Sequence, residues 1–198
     1  MAAKSNLRNM VLCLFAVCLV CAAVLGGVYV LTEEPIKAAA EAEARAAIAK
    51  VLPEGGEISE ERSSDAEGIL AYYVQNNGDA VSAYAVKSVT GGFGGPLTIM
   101  VGVLPDGSVF NTSVLSHSET PGLGAKCTED KFLSQWKGFK GTFAVKKDGG
   151  DVDAITASTI TSRAYAKAVK QAVDMVLSLG GEQHSDAVSG ASLNKKEE

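Results

Sequence analysis

The stretch from Ile69 to Ser116 decides the fold. It contains four apolar runs: Ile69-Leu-Ala-Tyr-Tyr-Val74, Val81-Ser-Ala-Tyr-Ala-Val-Lys-Ser-Val89, Leu97-Thr-Ile-Met-Val-Gly-Val-Leu104 and Ser108-Val-Phe-Asn-Thr-Ser-Val-Leu-Ser116. Each is rich in β-branched and aromatic residues and reads as a strand. Gln75-Asn76-Asn77-Gly78-Asp79 joins the first two runs through an Asn-Gly turn, and Pro105-Asp106-Gly107 joins the last two. Both are hairpin connections, because Gly and Asn accept the positive φ that tight turns require. Phe143 to Lys146, ahead of Asp148-Gly149-Gly150, is a fifth and shorter strand candidate.

Outward from the hairpins the period changes. Ser158 to Leu179 places Tyr165, Val169, Ala172, Val173 and Val176 on one helical face, with Gly180-Gly181 expected to end the helix. Thr128 to Trp136 reads as a short helix. Glu33 to Val51 is Ala-rich and helix-forming, with Pro35 tolerated in a first turn, and is expected to stop at Leu52-Pro53. Glu54 to Glu67 is polar and reads as a loop or weak strand. Hairpins followed by a long helix predict an α+β domain, an antiparallel sheet packed with helices, rather than a doubly wound one. No internal repeat interrupts this order.

The chain has 198 residues, a net charge of −5 and 46% hydrophobic residues. The acidic balance argues against nucleic acid as a partner, since a duplex binder needs a clustered basic surface. A mean hydropathy of +0.13 is high for an acidic soluble protein, and the apolar residues are concentrated at the front. Met10 to Leu31 carries no charge. As a helix it spans roughly 33 Å, enough to cross a hydrocarbon core of about 30 Å. Lys4 and Arg8 precede it and Glu33 and Glu34 follow it. The basic side stays in the cytoplasm, so the remainder is expected on the outer face of the cell membrane. The run is longer than a signal-peptide core, and Tyr29-Val30-Leu31 is a poor cleavage site. Val20 before Cys21 does not suit a lipoprotein signal either. The expected organisation is a cytoplasmic N-terminus and transmembrane anchor (1–32), a helical stalk (33–53), a folded domain (54–180) and a mobile polar tail (181–198).

Cys13, Cys18 and Cys21 lie within the span, the last two as C-x-x-C. One helix supplies too few ligands for a cluster, and small apolar residues also suit helix packing. Cys127 is alone in the outer domain, which lacks the ligand patterns of zinc, iron–sulfur or haem sites.

Two stretches carry chemistry. Asp153-Ala-Ile-Thr-Ala-Ser-Thr-Ile-Thr-Ser162 sets five hydroxyls within seven residues at a helix start, where unpaired N–H groups and the macrodipole favour an anion. Arg163 adds a full charge; the bland alternative is an N-cap cluster. His117-Ser-Glu-Thr-Pro-Gly-Leu-Gly-Ala-Lys126 follows a strand, with Pro121, Gly122 and Gly124 shaping a tight path. His117 and Glu119 could form an acid–base pair, or the segment could be a plain loop. Gly91-Gly-Phe-Gly-Gly-Pro96 lacks the lysine and spacing of a phosphate loop and taken alone is a flexible turn.

Taken in order, the glycine run, a hairpin, the Glu119-Thr-Pro-Gly-Leu-Gly124 run and Asp153–Ser162 resemble the FMN-binding domain family. That family includes the G subunit of the Rnf electron-transport complex and the C subunit of the sodium-pumping NADH:quinone reductase. The resemblance runs from about Gly91 to Val176, and the compact length is nearer the Rnf protein. It implies FMN held by a phosphodiester to the Thr of an Asp-x-x-Ser/Thr-Gly-Ala-Thr-x-Thr-Ser pattern. Aligned here, the acceptor is Thr159, with Asp153 opening the pattern, Thr156 at its first hydroxyl position and Ser158 beside the acceptor. Ala157 replaces the usual Gly and Ser158 the usual Ala; both are small, so steric access survives. The same resemblance assigns Glu119, Thr120, Leu123 and Gly124 to the loop lining the flavin ring, with no catalytic residue of the chain's own and no metal ligand.

The resemblance further implies an electron-carrying component of an ion-translocating ferredoxin:NAD oxidoreductase, without independent catalytic activity. Its expected partners are the other subunits of that complex, the lipid bilayer, and a flavin transferase that delivers FMN from FAD with magnesium. Alternatives are the quinone-reductase protein, or a membrane-tethered FMN sensor or assembly module. A hydrolase using His117, Glu119 and a hydroxyl of the 158–162 cluster lacks the G-x-S-x-G nucleophile turn.

Overall fold

A computed structural model of the chain describes residues 7–78 and 80–192, and from residue 181 onward only the backbone. The segment before Leu7 that was expected to be cytoplasmic, Asp79 of the first hairpin turn, and residues 193–198 of the tail expected over 181–198 lie outside the described residues. The chain divides at Glu43/Ala44 into two units.

The first unit is helix α1, which begins at Leu7 and continues to Val51 in the second. Its most apolar window has a mean hydropathy of 2.8 and none of it is buried, so it is long and apolar enough to cross a membrane. Pro35 sits inside this continuous helix rather than in a first turn. The proline leaves one carbonyl of the preceding turn without its i→i−4 donor. Nearby, the Thr32 hydroxyl donates to the Val28 carbonyl at 2.9 Å and Lys37 pairs with Glu33 at 2.6 Å.

The second unit is a five-stranded antiparallel sheet in sequential order: β1 (Glu57–Ile58), β2 (Ile69–Asn77), β3 (Ala80–Gly91), β4 (Pro96–Val103) and β5 (Val109–His117). The four expected strands form, and the expected α+β class with them. Residues 57–58 show that the polar 54–67 stretch does contain a short edge strand.

The pleat sorts this sheet onto two cores. Tyr84, Val86, Ile99, Val101 and Val103 face helix α3 (Thr159–Ser192), whose Tyr165, Val169, Ala172, Val173 and Val176 are all buried. Ala83, Ala85 and Met100 face the other way and pack with Ala47, Ile48, Val51 and Leu52 from the end of α1. Both faces of β4 are therefore covered, which is why its sequence is a continuous apolar run rather than an alternation. Gly102 makes the second core possible: a Cβ there would collide with the Val51 carbonyl oxygen. The Asn111 side-chain amide donates to the Lys50 carbonyl at 2.9 Å, satisfying one of the acceptors left over at the end of α1.

Between sheet and α3 the chain is irregular. The short helix expected over Thr128–Trp136 is split into 3₁₀ turns at Gly124–Thr128 and Ser134–Trp136 around the single turn of α2 (Asp130–Leu133). The strand expected at Phe143–Lys146 does not form. Val145 is anchored by one isolated bridge to Val152, and a 3₁₀ turn follows at Lys146–Asp148. Trp136 stacks on Tyr165 with ring centres 5.3 Å apart, and Phe132 meets Tyr165 edge-on at 5.0 Å. The Tyr165 hydroxyl donates to Thr112 on β5 at 2.8 Å, tying α3 to the sheet. Helix α3 does not end at Gly180-Gly181. Gly180 keeps a negative φ, so it caps nothing, and the backbone stays helical to Ser192. A helix interior tolerates glycine at a cost of about 1 kcal/mol.

Candidate functional site

Three segments converge beside the first turn of α3. Glu119 is the point at which they meet: only 6% of it is exposed. One carboxylate oxygen accepts the Phe93 backbone N–H at 2.7 Å; the other accepts the Thr161 hydroxyl at 2.8 Å. The Gly91–Pro96 turn, the loop after β5 and the start of α3 are thus joined through one side chain. The glycines in these segments are required by the crowding. A Cβ on Gly92 or Gly124 would strike the Glu119 carboxylate, and one on Gly94 would strike the Ser118 carbonyl oxygen.

Of the two readings open for this segment, the acid–base pair of His117 and Glu119 does not form. Its Nδ1 accepts the Glu119 backbone N–H at 3.2 Å, while both carboxylate oxygens are engaged elsewhere. His117 therefore shapes the loop.

The five hydroxyls have different roles. Ser162 accepts the Ile155 N–H at 2.9 Å and donates to the Ser158 carbonyl at 2.9 Å. Ser158 and Thr161 hydroxyls share a hydrogen bond of 2.8 Å, and Thr161 reaches Glu119. These three are buried and committed to the fold. Thr156 is exposed, and Thr159 is half-buried; among the described residues neither hydroxyl has a hydrogen-bond partner. Ala157 between them has φ 62°, the left-handed region in which a non-glycine residue is strained.

Thr159 lines a cavity of about 360 Å³ together with Phe93, Glu119, Thr120, Leu123, Gly124, Ala157, Ser158 and Ile160. Glu119, Thr120, Leu123, Gly124, Ser158 and Thr159 are thereby brought together. Thr156 is not among them. It lines a second cavity of about 290 Å³ with Lys126, Gln135 and Asp153. Phe93, Ala157 and Ile160 line the Thr159 cavity without having been singled out for it in the sequence. An exposed aromatic in a glycine turn was the available signal for Phe93. Leu123, Phe93 and Ile160 keep 44%, 69% and 51% of their surfaces exposed, so the mouth of the cavity is apolar. The N–H groups of Thr159, Ile160 and Thr161 open the helix and have no carbonyl within it to bond.

Arg163 does not supply charge to this cavity. Its guanidinium forms a two-pronged pair with Asp148, at 2.6 and 2.7 Å. That pairing holds the Asp148 carboxyl below its usual range. Below the site, Cys127 is fully buried. Burial, and after it the Glu119 charge, pushes its thiol up to about 11, so it stays protonated at neutral pH. Among the described residues no group of His, Cys, Asp and Glu is arranged to hold a metal.

Residues 92–174 match the FMN-binding domain family. The chain is 33% identical over 168 residues to the G subunit of the proton-translocating ferredoxin:NAD(+) oxidoreductase complex of Clostridium ljungdahlii. That match covers 83% of this chain and 88% of the relative. It is 33% identical over 190 residues to the G subunit of an ion-translocating oxidoreductase complex of Vibrio atlanticus, covering 83% and 85%. Among solved structures it is similar to NqrC of Shewanella oneidensis, at 19% identity, a TM-score of 0.43 and coverage of 59% and 68%.

Proposed function

The chain belongs to the G-subunit family of ion-translocating oxidoreductase complexes and carries an FMN-binding domain, and from that premise we propose that it relays electrons through an FMN esterified to Thr159. The observation that supports Thr159 is the distribution of the hydroxyls. Three of the five are buried in hydrogen bonds to the fold, and Thr156 belongs to another cavity. Thr159 alone of the five joins a free hydroxyl to the cavity beside Glu119.

The residues suit this cofactor. The apolar mouth formed by Phe93, Leu123 and Ile160 offers planar and aliphatic surface to an aromatic ring. The opening N–H groups of α3 and its macrodipole stabilise the single negative charge that a phosphodiester retains. With Arg163 held by Asp148, this helix start supplies the positive potential. FMN supplies reversible one-electron chemistry, and the chain's own task is to hold and orient it. Gly92 and Gly124 let the flanking backbone close around Glu119, which keeps the glycine turn and α3 in register. A covalent link prevents cofactor loss on a face of the membrane where free flavin is scarce.

In this reading α1 anchors the protein in the cell membrane, with the N-terminus cytoplasmic and the FMN domain outside. Other subunits of the complex donate and accept the electrons, a flavin transferase installs the cofactor, and the isolated chain turns over no substrate. Thr159→Ala tests the attachment: protein made in its native membrane should lose all in-gel flavin fluorescence. Undiminished fluorescence in that variant would refute the assignment.

A further inference from the structure

We propose that Glu119 sets the reduction potential of the flavin: it is a buried carboxylate to which no Lys or Arg among the described residues is bonded, fixed at the wall of the Thr159 cavity, and its negative charge opposes the charge the ring gains on reduction. The inference rests on the reading that the cavity holds FMN. Buried carboxylates are ordinarily paired with a cation or a metal, because an isolated charge is costly to desolvate. Glu119 has neither. Its two oxygens accept one backbone N–H and one hydroxyl, and among the described residues no Lys or Arg is bonded to it. The surrounding backbone is built to keep it there, since Gly92 and Gly124 each leave only the space that the carboxylate fills. An arrangement needed only to join three segments could use a neutral amide in the same place.

The carboxylate also cannot swing away. The Phe93 N–H holds it from the glycine turn and Thr161 from α3, while Thr161 is itself held by Ser158 at 2.8 Å. A fixed charge beside a redox ring in a low-dielectric setting is one of the means by which a protein tunes a cofactor's electronics. Electrons pass between the ring and partner subunits; Glu119 itself is neither oxidised nor reduced. It is a positioning and potential-setting residue, distinct from the acceptor Thr159.

Glu119→Gln separates charge from shape. The amide oxygen can still accept the Phe93 N–H, and the amide NH₂ can donate to the Thr161 oxygen, with the hydroxyl turned toward Ser158. The full-length membrane protein carrying this substitution should retain flavin, with a midpoint potential measurably more positive than wild type in a spectroelectrochemical titration. An unchanged or more negative potential in flavin-loaded Glu119→Gln would overturn the inference and leave the Thr159 assignment standing. If the variant fails to load, the wild-type protein decides. Its redox-difference infrared spectrum should contain a carboxylate band that shifts when glutamate is ¹³C-labelled, and absence of that band overturns the proposal. Wild-type protein without flavin would overturn both readings together.

Discussion

The five hydroxyls opening α3 illustrate how one residue type divides its labour within a single turn. Ser158, Thr161 and Ser162 are anchored in buried hydrogen bonds, and the half-buried Thr159 is left with its hydroxyl free at the cavity. The sequence announces the cluster, but not which members are consumed, because that depends on Glu119 arriving from 42 residues away. Ala157 shows a second local feature. Its left-handed backbone costs a non-glycine residue about 1–2 kcal/mol, while glycine recovers part of that as unfolded-state freedom, about 0.4–1 kcal/mol. Ala157→Gly should therefore stabilise the protein by up to about 1.5 kcal/mol, read as a raised thermal midpoint in detergent; a lowered midpoint would mean the strain is absent. Cys127 makes a prediction about pH. Its folded-state thiol lies near 11 against an ordinary 9.0, so the folded form holds its proton where the unfolded form releases it. Its contribution is fully present below pH 9 and declines between pH 9 and 11. At pH 8 the native thiol should resist iodoacetamide while the urea-unfolded chain reacts; rapid native alkylation would contradict its burial.

At the scale of elements, the strands were legible because each apolar run is bounded by turn residues. The two-sided burial of the sheet was not, since a one-faced and a two-faced strand share β-branched composition and differ only in what packs outside. Here the end of α1 covers the second face, and the close approach depends on Gly102. Gly102→Ala forces a Cβ against the Val51 carbonyl and should destabilise the domain by about 1–3 kcal/mol, as overpacking does. A thermal midpoint equal to wild type would show that α1 and β4 are not in contact at that position. The misread elements share a cause. Phe143–Lys146 has strand composition without a neighbouring strand, and Gly180-Gly181 carries a stop signal that the backbone does not take up. Composition supplies the tendency in both cases, and the available partners determine the outcome. The Arg163 charge was misplaced for the same reason, because Asp148 captures the guanidinium before it can reach the cavity.

For the whole molecule, a helix long and apolar enough to cross a membrane and an FMN-binding domain share one chain. Charge, hydropathy and the Glu119–Gly124 and Asp153–Ser162 runs made the family legible before any fold was known, and the similarity to G subunits covers most of the chain. The arrangement of the cavity, with its apolar mouth, its buried carboxylate and the hydroxyls of Thr120 and Thr159, emerges only when three distant segments are folded together. Covalent flavin at one side chain is the claim on which the electron-relay role depends. Tryptic mapping of the protein purified from its native membrane isolates the segment 148–163, which contains all five hydroxyls. Fragment-ion sequencing should place an FMN phosphoryl increment on Thr159 alone; an unmodified peptide, or the increment on Thr156 or Ser158, would contradict it.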